Sequence, residues 1–162
     1  NNSFKSFNIS SKRVFAILEN KELCDLMDLK IFVDTDNEIV RKIGKSIPEI
    51  FAEYGEQYFR EIESEVVKEV SLLRGAVIST GGGVVTIEKN QAPLKLNGKA
   101  VWIKRDITKI STKGRPLVTD LEKAKKLYSE RMPIYTKFAD ISVDNNSKIE
   151  DVVEEIINKC DY

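Results

Sequence analysis

The sequence contains no histidine, and its 162 residues include only two cysteines, two methionines and one tryptophan. Without an imidazole side chain, the chain has no His-dependent catalytic triad, no imidazole acid or base, and little capacity for catalytic zinc. Cys24 and Cys160 are isolated in the sequence and match no metal or redox motif, so we interpret them as buried or otherwise unreactive thiols. Any general-base chemistry is therefore expected to come from carboxylates.

The chain also lacks a surplus of charge and a long apolar run. Its 26 Lys and Arg residues balance its 26 Asp and Glu residues, so no overall field favours nucleic acid or an anionic membrane. No apolar stretch reaches membrane-spanning length, and no signal-peptide pattern opens the sequence. We therefore expect a cytoplasmic monomer that binds a small molecule and has no nucleic-acid or membrane partner.

Short apolar runs alternate with stretches of helical periodicity along the chain. The runs predict strands at 30–33, 76–78, 100–103 and 140–143. The periodic stretches predict helices at 13–27, 46–74, 93–96, 121–131 and 149–157. Ser46 and Glu49 form a capping-box pattern at the start of the second helix, and Gly75 suits its C-cap. This alternation predicts a three-layer α/β fold with a mainly parallel sheet, formed by a single domain over residues 1–162.

Three consecutive glycines, Gly81, Gly82 and Gly83, follow the predicted strand at 76–78. Glycine lets a ligand approach the backbone closely, and open α/β sheets bind ligands outside the carboxyl ends of their strands. An ordinary tight turn has the same composition. The glycines therefore indicate either a turn or the floor of a ligand site.

Two carboxylates, Asp34 and Asp36, stand at the end of another predicted strand. One of them can organise a hydrated magnesium ion while the other accepts the proton of a substrate hydroxyl. The alternative is that Asp36 caps the helix that follows. The pattern is compatible with both roles.

Single arginines stand outside the charged runs of the sequence. Arg60 and Arg131 have aromatic or rigid neighbours, and the planar fork of arginine binds a carboxylate through two hydrogen bonds. Arg115 belongs to the segment 113–117, where a mobile loop can bring a cation over a reacting phosphate. Exposed surface positions and an ordinary basic loop are the alternatives.

A series of motifs, in order, resembles the shikimate kinase family. They are Asp34-Thr35-Asp36, Ser46-Ile47-x-Glu49-Ile50-Phe51, Gly55-Glu56-x-x-Phe59-Arg60-x-x-Glu63, Ser79-Thr80-Gly81-Gly82-Gly83-Val84-Val85, Arg115-Pro116-Leu117 and Arg131-x-Pro133-x-Tyr135. The resemblance implies a nucleoside-monophosphate-kinase-like (P-loop kinase) α/β fold with ATP and magnesium as cosubstrates. It also implies phosphorylation of the 3-hydroxyl of shikimate, a step of chorismate and aromatic amino acid biosynthesis.

The resemblance implies a substrate pocket built from five residues. Asp36 would hold the ring hydroxyls of shikimate and orient or deprotonate the nucleophile. Arg60 and Arg131 would clamp the shikimate carboxylate. Gly82 and Gly83 would offer backbone groups to the same substrate.

The resemblance also implies a nucleotide side. Asp34 would act on magnesium through water. Arg115 would come from a short lid, about 107–118, to bind the nucleotide and neutralise the transferring phosphate. Asn145 would border the adenine ring, although polar residues before a helix are also common caps.

The family's phosphate-binding loop, Gly-x-x-x-x-Gly-Lys-Ser/Thr, does not occur in this sequence. Counting back from Asp34 without gaps puts Ile17 at the lysine position, and a five-residue slip puts Lys12 there, so we expect Lys12 to bind the nucleotide. A pseudo-kinase that binds shikimate or a similar hydroxy acid without turnover is the alternative to an active kinase. A gluconate-type or uridine-type kinase of the same fold is a third interpretation. The paired arginines favour a cyclic acid as the substrate instead.

Overall fold

The computed structural model describes residues 13–16, 31–96, 98–104 and 121–160. Within these ranges, one sheet contains β1 (Arg13–Ala16), β2 (Ile31–Asp34), β3 (Ala76–Ser79), β4 (Gly98–Lys104) and β5 (Ile141–Asp144). The helices are α1 (Thr35–Ile43), α2 (Ile47–Val70), α3 (Glu88–Lys95), α4 (Leu121–Phe138) and α5 (Ile149–Cys160), with a 3-10 helix at Val84–Thr86. No helix of these described ranges combines the length and the apolar character needed to cross a membrane.

The strand order of the sheet is β2-β3-β1-β4-β5, and every neighbouring pair is parallel. The carboxyl ends of all the strands therefore lie along one edge of the sheet. Asp34, at the end of β2, is paired with Ser79, at the end of β3. Helix α1 and the glycine loop thus start side by side, about 4.8 Å apart.

Residues on β3 pack alternately on the two faces of the sheet. Ala76 and Ile78 belong to a core cluster that includes side chains of α2, whereas Val77 belongs to a second cluster that includes side chains of α5. All three are completely buried, as is typical of parallel sheets that are covered on both faces. The three-layer α/β prediction is confirmed.

The predicted helix at 13–27 is wrong at its beginning. Residues Arg13–Ala16 form β1, the central strand, which is paired with both β3 and β4. A short apolar run fits a helical face and a buried strand equally well, and four residues are too few for periodicity to separate them. Residues 17–27 lie outside the described part of the chain.

Helix α1 is not among the helices predicted from periodicity, and the remaining differences lie at the boundaries of elements. The capping box of α2 is present, with Ser46 N–H donating to Glu49 Oε2 at 2.8 Å, but the helix ends at Val70 with its C-cap at Ser71. Gly75 has a φ of 61° in the turn before β3 and is not the helix cap. Helix α4 continues past Pro133 to Phe138, and this extension places residues 131 and 135 on one face, one turn apart.

Gly55 interrupts α2 with φ 82° and ψ 173°. Only glycine adopts this backbone conformation readily. The helix therefore consists of two segments that meet at a kink, and the second segment begins with Glu56. Arg60 and Glu63 lie on this second segment, so the kink at Gly55 sets the direction from which they approach the sheet.

Candidate active site

The loop after β3 is surrounded by side chains from α1, α2 and α4. A methyl group placed on Gly81 would lie 3.5 Å from Asp36 Oδ1. On Gly82 it would lie 2.9 Å from the Tyr135 hydroxyl oxygen, and on Gly83 it would lie 2.5 Å from Arg60 Nη1. None of the three glycines has a positive φ. An alanine at position 82 or 83 would therefore displace a neighbouring side chain, whereas the backbone conformation itself does not demand glycine.

Asp34 and Asp36 have different environments. Asp34 is the N-cap of α1, where its Oδ1 accepts a hydrogen bond from Asn37 N–H at 2.9 Å. Asp36 lies in the first turn of the helix and faces Gly81. The interpretation that Asp36 is the cap is wrong, because the helix starts at Thr35 and the capping position falls on the last residue of β2.

Arg60 is held by two glutamates of its own helix. Its Nη1 donates to Glu63 Oε2 at 2.8 Å, while Nη2 and Nε lie 3.3 and 3.4 Å from Glu56 Oε1. The Glu63 side chain is 1% exposed and that of Glu56 is 51% exposed. Burial raises the pKa of Glu63, and the nearby charge of Arg60 opposes this rise. The Arg60 guanidinium group is therefore anchored firmly on its buried side and loosely on its exposed side.

Helix α4 brings Arg131 and Tyr135 to Gly82 of the same loop. Arg131 Nη1 would lie 3.7 Å from a methyl group on Gly82, and the charge of Arg131 also acts on Glu63. The Tyr135 hydroxyl donates to the Gly82 carbonyl oxygen at 2.6 Å. Two arginines thus flank the same pair of glycines, one from α2 and one from α4.

The structure brings one group of predicted site residues together and leaves another apart. The residues that converge at the carboxyl edge of β2 and β3 are Asp36, Arg60, Gly82, Gly83 and Arg131. Asn145 follows β5, at the opposite side of the sheet, where its N–H donates to the Lys104 carbonyl oxygen at 2.7 Å. Four strand spacings, or roughly 19 Å, separate β2 from β5.

Part of the predicted nucleotide side lies outside the described residues, namely Lys12, Arg115 and the predicted lid at 107–118. Asp34 and Asn145 are the two residues of that side whose positions are described, and both stand at carboxyl ends of strands.

A family model for shikimate kinase matches residues 21–161. The chain belongs to the shikimate kinase family. A shikimate kinase of Caldanaerobacter subterraneus subsp. tengcongensis is 43% identical over 137 residues, which cover 78% of each chain. The family resemblance of the motifs is thereby confirmed.

Solved shikimate kinase structures have the same fold as this family member. The enzyme of Acinetobacter baumannii, solved in complex with shikimate, superposes with a TM-score of 0.84 at 27% identity over 93% of both chains. The enzyme of Aquifex aeolicus superposes with a TM-score of 0.78 at 35% identity, covering 91% of this chain and 95% of its own. The predicted kinase fold is confirmed by these likenesses.

Three further side chains contact the predicted residues, although the sequence patterns assign them no role: Glu56, Glu63 and Tyr135. Each is spaced by one helical turn from a predicted arginine: Glu56 and Glu63 from Arg60, and Tyr135 from Arg131. Residues three or four apart share a helix face. This spacing is the sequence signal that connects all three to the arginines.

Proposed function

We propose that this chain transfers a phosphoryl group from ATP to the 3-hydroxyl of shikimate, as an enzyme of aromatic amino acid biosynthesis. The observation that carries the proposal is the placement of Arg131 beside Gly82 and of Arg60 beside Gly83, with Asp36 next to the same loop. This arrangement offers positive charge and a carboxylate to one small ligand. Shikimate has the matching groups, a carboxylate and several hydroxyls.

The two guanidinium groups at the loop support an anionic substrate. Glu63 and the half-exposed Glu56 both pair with Arg60, and Arg131 is the second cation proposed to meet a substrate carboxylate. Arginine forms paired hydrogen bonds with such a group. In the proposed complex, Arg60 and Arg131 clamp the shikimate carboxylate, and the Gly82 and Gly83 backbone lies against the ring.

Asp36 is the group proposed to act on the reacting hydroxyl. Its carboxylate orients the 3-hydroxyl of shikimate and accepts its proton as the hydroxyl oxygen attacks the terminal phosphorus of ATP. ADP is the leaving group. Phosphoryl transfer depends mainly on positioning and on charge neutralisation, so the carboxylate contributes chiefly by holding the nucleophile in line.

The Asp34 carboxylate has the acceptor capacity that the proposed magnesium role requires. One of its oxygens caps α1, and a carboxylate retains further acceptor capacity for a metal-bound water. Among the described residues, no cluster of three or more acidic or cysteine ligands exists that could hold a metal alone, and magnesium commonly takes its other ligands from water and substrate phosphates. Bound there, the ion would neutralise phosphate charge. Lys12 and Arg115 are proposed for the phosphates and Asn145 for the adenine ring.

The experiment combines a coupled assay for ADP release with calorimetric titrations of shikimate and of magnesium-ATP. We expect shikimate-dependent ADP release and binding of both ligands. Arg60→Ala and Arg131→Ala are each expected to weaken shikimate binding by roughly 2 to 5 kcal/mol, the cost of truncating one partner of a buried charge pair. Arg74→Ala is the matched control, because Arg74 is exposed and lies away from the glycine loop.

Two results would contradict the proposal in different ways. Shikimate binding by the wild-type protein without nucleotide binding or turnover would refute the kinase and leave the pseudo-kinase alternative. Unchanged shikimate affinity in both arginine variants would refute the carboxylate clamp even if the protein is an active kinase.

A further inference from the structure

The Tyr135 hydroxyl connects helix α4 directly to the glycine loop. It donates to the Gly82 carbonyl oxygen at 2.6 Å. The Tyr135 residue is 8% exposed, and its ring lies 5.5 Å from the ring of Trp102. Arg131 stands one turn earlier on the same helix. The hydroxyl therefore connects α4, which carries Arg131, to the loop that follows β3.

The carbonyl groups of the three glycines have different kinds of partner. The Gly81 oxygen accepts from Val84 N–H at 3.2 Å, and the Gly83 oxygen accepts from Thr86 N–H at 3.1 Å. These partners belong to the 3-10 helix that immediately follows. The Gly82 oxygen is bound by Tyr135, which is 53 residues away in the sequence. The orientation of this one carbonyl thus depends on a distant element.

The orientation of the Gly82 carbonyl also sets the direction of the next N–H group. The peptide bond between Gly82 and Gly83 is trans, so the Gly82 carbonyl and the Gly83 N–H point in opposite directions. Because glycine stands on both sides of this peptide, side-chain sterics resist its rotation less than usual. Among the described residues, the Gly82 and Gly83 N–H groups form no hydrogen bond to a protein acceptor, which leaves them for a ligand.

The Tyr135 ring is packed in the core cluster beside Trp102 and Phe138, and a small cavity lined by Leu94, Trp102 and Phe138 lies against it. The packing positions the ring, and the hydroxyl bond transmits that position to the Gly82 carbonyl.

We propose that Tyr135 is a positioning residue for the substrate, which orients the peptide between Gly82 and Gly83 and keeps Arg131 at a fixed distance from it. This inference rests on the proposed function, since it takes the anion bound there to be shikimate. Tyr135 acts through the peptide and the helix, and its hydroxyl does not touch the reacting atoms.

The test compares Tyr135→Phe with the wild-type protein. Phenylalanine keeps the ring against Trp102 and removes only the hydroxyl. We expect the Kd of shikimate to rise about tenfold, the effect of one lost hydrogen bond, while the KM of ATP stays within twofold. Calorimetry measures the shikimate Kd, and Trp102, the sole tryptophan, gives an independent fluorescence titration beside the site. Tyr128→Phe is the control, because Tyr128 lies on the same helix and packs against the same core cluster.

A double-mutant cycle separates positioning from general stabilisation. Gly82→Ala displaces the same hydroxyl from the other end of the bond with the tyrosine intact, so it also tests the idea should Tyr135→Phe fail to fold. If Tyr135 acts through the Gly82 peptide, the two losses of shikimate affinity are not additive. Wild-type affinity in Tyr135→Phe, additive losses, or equal losses for shikimate and ATP would each overturn the inference. If the wild-type protein itself does not bind shikimate, the proposed function fails instead.

Discussion

Replacing each glycine of the loop after β3 by alanine tests whether close side-chain approach is what requires glycine there. None of Gly81, Gly82 and Gly83 has a positive φ, so an alanine is not strained by the backbone itself. The added methyl group would lie 3.5 Å from Asp36 Oδ1 at Gly81 but only 2.5 Å from Arg60 Nη1 at Gly83. The three variants therefore differ in what they displace, and not in backbone strain.

The largest effect is expected at Gly83. The guanidinium group of Arg60 has to move by about 1 Å to restore ordinary van der Waals contact. The guanidinium group is the mobile end of its side chain, so we expect this movement to disturb the 2.8 Å bond from Arg60 Nη1 to Glu63 Oε2 and to shift the group away from the place proposed for the substrate carboxylate. A contact of two parallel hydrogen bonds depends closely on geometry. A loss of about 2 kcal/mol in that contact corresponds to a roughly 30-fold weaker binding of shikimate.

Calorimetric titration of shikimate into the three variants is the assay, with thermal melting as the control for folding. We expect Gly81→Ala to bind within about twofold of the wild-type protein, because its methyl group makes an ordinary contact. Gly82→Ala should bind about tenfold more weakly, since it displaces one hydroxyl bond. Wild-type affinity in Gly83→Ala, or equal losses in all three variants, would refute the reasoning.

Two further predictions concern the carboxylates of the site. Asp34→Asn keeps an acceptor for Asn37 N–H, because asparagine caps helices as well as aspartate, but it removes the charge proposed to act on magnesium. We expect unchanged thermal stability and a higher Mg²⁺ concentration at half-maximal rate; a wild-type Mg²⁺ dependence would exclude the metal role. Burial raises the pKa of Glu63. Protonation of Glu63 therefore stabilises the folded state: the contribution is complete at pH values below the ordinary glutamate pKa, and it is lost as the pH rises through the raised pKa. Relative to Glu63→Gln, the wild-type free energy of unfolding should therefore fall with rising pH in that window, which urea unfolding at stepped pH measures; parallel pH profiles would contradict it.

Sequence patterns predict most of the sheet because each apolar run is flanked by helical stretches. β3 and its following glycines are identified in this way, and the parallel arrangement follows from the alternation. β1 (Arg13–Ala16) is missed because it merges with an apolar stretch of helical spacing, whereas β2, β3 and β5, which are equally short, stand apart as separate runs. What identifies β1 is its pairing with β3 and β4 in the sheet, and such pairing is not encoded locally.

The sequence predicts those residues of the candidate site whose charge stands out from the neighbouring sequence. Arg60, Arg131 and Asp36 stand out as charged groups in unusual local contexts. Tyr135 does not, because its partner Gly82 is 53 residues away and a tyrosine on an apolar helix face is normally a core residue. Glu63 is equally hidden, since an ion pair with Arg60 at this spacing is common on exposed helices and only the fold shows that this one is buried.

The two glutamates that contact Arg60 have different roles in ligand binding. The bond to Glu63 is short and buried, so it fixes the guanidinium group before any ligand arrives and reduces the entropy lost on binding. The contacts to Glu56 are 3.3 and 3.4 Å long, and Glu56 is half exposed; exposed pairs contribute only about 0 to 1 kcal/mol. On the proposed function, a substrate carboxylate that replaces Glu56 therefore costs little interaction energy and meets a guanidinium group that is already oriented. Buried Glu63 keeps Arg60 in place, and exposed Glu56 is the partner that the substrate carboxylate can replace.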